Sequence, residues 1–330
     1  MKQLLLVVDR PGWAFDAIAK ALVRHNDNSG LEITVFYLKG NEKKLAKMYT
    51  QADLVFFMHW SLTAKRSRPF FSGSGELPFA KYKLKKNCSF LDPAKVLTGI
   101  HAHHDWDDRQ TLPDKKILPP RNLIKYLSGF KGVNAVSSRL SDYFREAGLE
   151  NVICTANGID TEFFKPSKSP GKSSKLVVGC SGNLKRDWKE GITEFIEPLA
   201  ELDFIDLRIA AFGDDRYVPY EKMPDFLNSI DVYVLASASE GFPLKALEAS
   251  ACGRPVITTR VGGCEDLIID GENGFFVERN STAFAEKLRF LHENRDILVK
   301  MGERSREIIE EKWSWKIRAR DWLDFIMNNI

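Results

Sequence analysis

Two glutamates, Glu240 and Glu248, bracket the stretch of this 330-residue chain best equipped for chemistry. Residues 236–263 read ASASEGFPLKALEASACGRPVITTRVGG. An apolar strand, Val232–Ala236, runs into Ser237–Gly241. Pro243 suits the first turn of a helix, where its missing N–H costs nothing. Gly253 stands where a helix ends in a positive-φ residue, and Pro255 blocks continuation. The predicted helix is about ten residues, or roughly 15 Å, long. Its first N–H groups have no partner inside the helix, and Gly241 lets an anion approach them closely. Glu240 lies beside that anion site. Glu248, more than a turn further on, can accept two hydrogen bonds from a ribose diol, as acidic residues do in dinucleotide sites. Sugar near Glu240 and nucleoside near Glu248 is a layout that suits a nucleotide sugar. The plainer reading makes both glutamates solvated helix-end charges and the glycines caps. Each feature alone fits that reading; the combination favours a site.

Other residues invite similar scrutiny. Gly262-Gly263 marks a second glycine-lined turn after a strand, and Asn273-Gly274 reads as a hairpin turn. His101, His103 and His104 follow a strand, with Asp105 next. Imidazoles and a carboxylate are good metal ligands, but this loop spacing is not a formed ligand set. No metal is expected. His59 ends another strand and is a weaker candidate.

The elements that would position these residues alternate. Strands are predicted at Leu4–Val8, Leu31–Leu38, Leu54–Met58, Val96–Ile100 and Val133–Ser137, with helices at Phe15–Arg24 and near Glu42–Tyr49. After the Pro-, Ser- and Lys-rich stretch KPSKSPGKSSK the alternation restarts. Strands are expected at Leu176–Cys180, Leu207–Phe212, Val232–Ala236 and Pro255–Thr259, and helices at Glu190–Glu201, Met223–Ser229 and Pro243–Cys252. Short apolar runs between amphipathic helices indicate parallel α/β sheets. The expected fold is therefore α/β, with two Rossmann-like domains in tandem facing a central cleft. Residues 1–164 form the first domain, 165–175 the linker, 176–315 the second domain and 316–330 a terminal helix. That helix is apolar along Trp315, Ile317, Trp322, Phe325 and Ile326.

Composition bounds the function. A net charge of +3, from 48 basic and 45 acidic residues, gives no global pull toward nucleic acid, which is not an expected partner. Five cysteines, odd in number and widely spaced, argue for a reducing compartment and against disulfides or a zinc site. The apolar run after Met1 is too short for a signal core or a membrane span, so a cytoplasmic location is expected. Lys81, Lys83, Lys85 and Lys86, with Phe70, Phe71, Phe79 and Tyr82 nearby, read first as a solvated loop over packed aromatics. The alternative is peripheral contact with an anionic membrane.

Glu240–Glu248, with Gly241, Phe242 and Pro243 between, resembles the Glu-x7-Glu signature of retaining GT-B glycosyltransferases, in particular family four. The resemblance extends through Gly253-Arg254-Pro255-Val256, Val261-Gly262-Gly263 and Asn273-Gly274-Phe275. Ser137-Ser138 and Asn157-Gly158-Ile159-Asp160 are similar to that family's passage between domains. Likeness is good from about Val133 onward and weaker before it. It implies retaining transfer of a sugar from a nucleotide-diphosphate donor to a glycan, lipid-linked or small-molecule acceptor, with no cofactor and no metal. Glu240 would orient the sugar. His101 would contact the transferred sugar, and His103, His104 and Asp105 would line the acceptor side. Gly182, Asn183, Gly241, Phe242, Pro243, Leu244 and Glu248 would bind the donor, with base contacts around Gly213 to Met223. The family often has Gly-Arg and then Lys-Gly at the diphosphate. This chain has Gly182-Asn183 and then Lys189-Glu190-Gly191, so Lys189 and Arg186 are the expected cations. The family's glycine-rich loop after the first strand is reduced here to Gly12, in Asp9–Trp13. The terminal helix would cross back to the first domain. A nucleotide-sugar isomerase or phosphorylase of related fold, and a non-catalytic nucleotide-sugar-binding subunit, are the rival readings.

Overall fold

The computed structural model describes residues 1–27, 30–67, 81–102, 116–171 and 173–330, and the side chains of all of these except 66 and 67. The expectations placed on His103, His104, Asp105, Phe70, Phe71 and Phe79 lie outside the described residues.

Strands and helices are numbered in chain order. The first part contains β1 Lys2–Val8, α1 Ala14–Arg24, β2 Leu31–Tyr37, α2 Leu45–Gln51, β3 Leu54–Phe57, β4 Ala64–Ser67, β5 Lys81–Leu84, β6 Val96–Ile100, α3 Arg121–Leu127, β7 Gly132–Ala135, α4 Ser138–Glu146 and β8 Val152–Cys154. The second contains β9 Leu176–Asn183, α5 Asp187–Glu190, β10 Ile205–Phe212, α6 Met223–Asn228, β11 Val232–Leu235, α7 Leu244–Ala251, β12 Val256–Thr258, α8 Cys264–Leu267, β13 Gly274–Phe276, α9 Ser281–Glu293, α10 Arg295–Ile308 and α11 Trp315–Met327. No helix among the described residues is long and apolar enough to cross a membrane.

Two compact units result. One takes in the described residues up to Asn157 together with Trp315–Ile330, and the other Gly158–Ser314. The first holds a sheet in the order β2-β1-β3-β6-β7-β8, parallel throughout, and the second one in the order β10-β9-β11-β12-β13, also parallel. Leu4 to Val8 are each at most 1% exposed, as a parallel strand covered on both faces requires. In both sheets the winding reverses beside the first strand. Ligands of such sheets bind outside the strand carboxyl ends at that reversal.

Five local expectations change. The break sits at Asn157–Gly158, and residues 165–171 are fastened to the second unit. Asn228 Oδ1 accepts from the Ser167 N–H at 2.8 Å, Asp231 Oδ1 from the Gly171 N–H at 2.6 Å, and Arg254 donates to the Lys168 carbonyl at 2.8 Å. The helix expected over 190–201 is interrupted. Gly191 adopts φ +68°, and α5 ends there before a wide turn begins at Ile192. Asn273-Gly274 is not a hairpin: Gly274 enters β13, parallel to β12. A Cβ at Gly274 would lie 2.1 Å from the Val256 carbonyl oxygen, so glycine there serves close approach between strands. Lys81–Leu84 is a strand paired antiparallel to β4 rather than a loop. Ile317 points outward at 36% exposure, while Trp322 and Ile326 are fully buried.

The terminal helix α11 packs within the first unit. The Trp322 indole lies 6.0 Å from the Phe56 ring, and its Nε1–H donates to the Ala156 carbonyl at 2.9 Å.

Candidate active site

The second unit carries a cavity of about 410 Å³ at the carboxyl ends of β9 and β10 and the start of α7. Gly182, Phe242, Pro243, Leu244, Glu240 and Glu248 line it, all of them expected from the sequence. Tyr217, Val218 and Met223 do so from the segment expected to meet a base. Asn183, Gly241, Lys189 and Arg186 are not among its walls.

Local sequence explains the shape. Helix α7 starts at Leu244, with Pro243 just before it in extended conformation. Gly253 takes φ +69° beyond its end. The Gly262-Gly263 turn lies hard against residues 240–242. A Cβ at Gly262 would come 2.1 Å from the Glu240 carbonyl oxygen, and one at Gly263 2.1 Å from the Phe242 ring. The Gly263 N–H donates to the Gly241 carbonyl at 2.9 Å. These glycines let two loops share one position and thereby fix the backbone around Glu240.

Glu240 is buried. Its Oε2 accepts from Lys189 Nζ at 3.1 Å and its Oε1 from Ser237 Oγ at 2.8 Å. Burial pushes this carboxyl up, but the Lys189 and Lys245 cations and the two hydrogen bonds outweigh it, leaving it below the ordinary carboxylate range. It is an anion held in place. Glu248 has no such support. Burial raises its carboxyl to about 7, against a small opposing pull from Lys245.

Three contributors were not singled out in the sequence. Lys245 lines the cavity and pairs with Glu190, its Nζ lying 3.9 Å from Glu240 Oε1. Burial disfavours the Lys245 ammonium, yet Glu190 and Glu240 raise it above the usual lysine value. Arg279 donates from Nε to the Ala236 carbonyl at 2.8 Å and from Nη2 to the Lys189 carbonyl at 3.3 Å, tying the end of β11 to the Lys189 turn.

Other expected residues stand elsewhere. Arg186 is exposed. The Asn183 side chain accepts from the Lys185 N–H at 3.0 Å and closes a turn. Gly12 and His101 belong to the first unit. Gly12 has φ +76° and open space around it, but its N–H is committed to buried Asp16 Oδ2 at 2.7 Å. His101 follows β6, its ring 4.7 Å from Phe15 and 6.3 Å from Trp322.

Two doubly wound parallel units define an α/β protein of the GT-B class. Sucrose-phosphate synthase from Thermosynechococcus elongatus shares this fold at TM-score 0.69 and 14% identity, over 99% of both chains. Anabaena HepE, solved with UDP-glucose, shares it at TM-score 0.67 and 15% identity over the whole of both. Residues 216–308 match the model of the family described as glycosyl transferases group 1. An uncharacterized glycosyltransferase of Methanocaldococcus jannaschii is 37% identical over 98 residues, which are 29% of this chain and 28% of that protein. The chain spans only about a quarter of the first curated relatives it matches.

Proposed function

We propose that this protein is a retaining glycosyltransferase that uses a nucleotide-diphosphate sugar and needs no metal ion. The carrying observation is the cavity at the reversal of the second sheet, with ionised Glu240 at one wall and Glu248 at another. A cavity of this size suits a nucleotide. The amides that open α7 and the Lys189 ammonium favour the departing diphosphate. Glu240 orients the sugar and favours positive charge at the anomeric carbon. The acceptor hydroxyl attacks from the face the diphosphate leaves, and a leaving-group phosphate oxygen takes its proton. His101 is assigned a sugar hydroxyl on the resemblance alone. His101→Ala is expected to lower kcat about tenfold, on the order of a lost hydrogen bond, with nucleotide affinity retained.

The acceptor is a glycan, a lipid-linked sugar or a small molecule. Because Lys81 and Lys83 alternate with Tyr82 and Leu84 along β5, one strand face is cationic, and we place it against an anionic membrane surface. Thiols at all five cysteines suit the cytoplasm, where we place the protein.

A thermal-shift screen against UDP, GDP, dTDP and ADP in EDTA tests the donor site. One nucleotide class should raise the melting temperature, and Glu248→Ala should weaken it. Turnover should persist in chelator. Binding to none of the four would return the protein to a structural role. Product formed from donor without acceptor would favour an isomerase.

A further inference from the structure

A donor diphosphate needs cations, and of the two expected, Lys189 and Arg186, neither is among the cavity walls. The family's arginine position holds Asn183, whose side chain is spent on a turn. Arg186 is exposed and Lys185 has its ammonium 5.3 Å over the Phe212 ring. Lys189 remains, bound to Glu240 at 3.1 Å.

The cavity wall supplies another. Lys245 sits in the first turn of α7, its side chain only 19% exposed, and pairs with Glu190. Glu190 is the residue that separates Lys189 from Gly191, where the family runs Lys directly into Gly. Its carboxylate lies against Gly182: a Cβ there would stand 3.0 Å from Glu190 Oε2. Glu190, Lys245 and Gly182 therefore meet where the resemblance puts the diphosphate. Lys189 and Lys245 are balanced by Glu190 and Glu240, so this group is neutral before an anion arrives. A lysine ammonium has three donors, and one can stay on Glu190 while another takes a phosphate oxygen.

We infer that Lys245 is the second cation of the diphosphate site, with Glu190 holding it in place and opposing the anion. The inference rests on the glycosyltransferase reading. It separates from a purely structural ion pair by sign. Loss of either partner of a structural pair weakens the site. Here loss of Lys245 removes attraction, whereas neutralising Glu190 removes repulsion.

The test is calorimetric titration, in EDTA, of inorganic pyrophosphate, UDP and UMP into the full chain and its variants. Lys245→Met should weaken pyrophosphate and UDP about ten- to a hundredfold, the scale of a hydrogen bond to a charged group, and UMP much less. Glu190→Gln should tighten pyrophosphate. Arg186→Ala should match wild type. The double variant Lys245→Met, Glu190→Gln removes both charges and guards against misfolding; it should bind UMP and have weak pyrophosphate affinity. Wild-type pyrophosphate affinity in Lys245→Met, equal losses in both single variants, or the loss appearing in Arg186→Ala would each overturn the inference while leaving the donor reading intact. Failure of the wild-type chain to bind pyrophosphate or any nucleoside diphosphate would overturn both.

Discussion

Glu248 carries a pH signature that follows from its burial. In the unfolded chain a glutamate ionises near 4.5, whereas the folded carboxyl keeps its proton to about 7. Between those values the folded state binds more protons, so stability falls as pH rises from 4.5 to about 7 and stays lower above it. Glu248→Gln should flatten that slope, as urea midpoints measured across about pH 5 to 8 would show. An unchanged slope would place the titrating group elsewhere. Donor affinity has the opposite trend. If Glu248 holds the ribose diol, its ionised carboxylate is the form that accepts both hydrogen bonds, so nucleotide binding should strengthen as pH rises through about 7 in wild type and stay flat in Glu248→Gln. Glu240 and Glu248 were legible because strand, glycine, proline and glutamate lie within one short stretch. Glu190, Lys245 and Arg279 were not. Lys245 meets a partner 55 positions away and Arg279 one 43 positions away, distances at which local periodicity is silent.

At the scale of the elements, glycines do different work that only geometry separates. The Cβ added by Gly263→Ala would enter the Phe242 ring, so the loop carrying Glu240 must shift. A cost of about 1–3 kcal/mol is expected from such overpacking, with UDP affinity falling alongside the melting temperature. Gly271→Ala is the control. Its φ is +83° but nothing lies within 4 Å of the added carbon, so strain lowers stability while the site keeps its affinity. Equal affinity losses in both would argue against loop support. Asn273-Gly274 was misread for the same reason: the dipeptide is a turn signal locally, while the packed strand beside Gly274 is invisible in sequence. The basic strand β5 was read as a loop because its lysines mask the alternation that buries Tyr82, at 8% exposure. If its lysine face meets a membrane, Lys81→Gln with Lys83→Gln should cut binding to anionic vesicles about fivefold per charge, at roughly 1 kcal/mol each. Lys43→Gln with Lys44→Gln, on another exposed segment of the same unit, should not.

At the scale of the whole molecule, the doubled α/β winding was readable because it repeats. The unit boundary was not, since composition marked residues 165–175 as a linker while the buried Arg254 and Asn228 fasten part of that stretch from afar. The chain's end also leaves its sequence neighbours and completes the first unit. Trp322 is fully buried there, stacked on Phe56 and hydrogen-bonded to Ala156. Trp322→Ala should cost about 3–5 kcal/mol, and the loss should fall on the first unit. The cavity proposed for the nucleotide is lined wholly by residues 181–248 of the second. Calorimetric scans with and without UDP should therefore show an early transition displaced downward in the variant, and a later one that UDP still raises. A single transition, lowered as a whole and no longer moved by UDP, would mean that the two units unfold as one and that the terminal helix supports the donor site as well as its own unit.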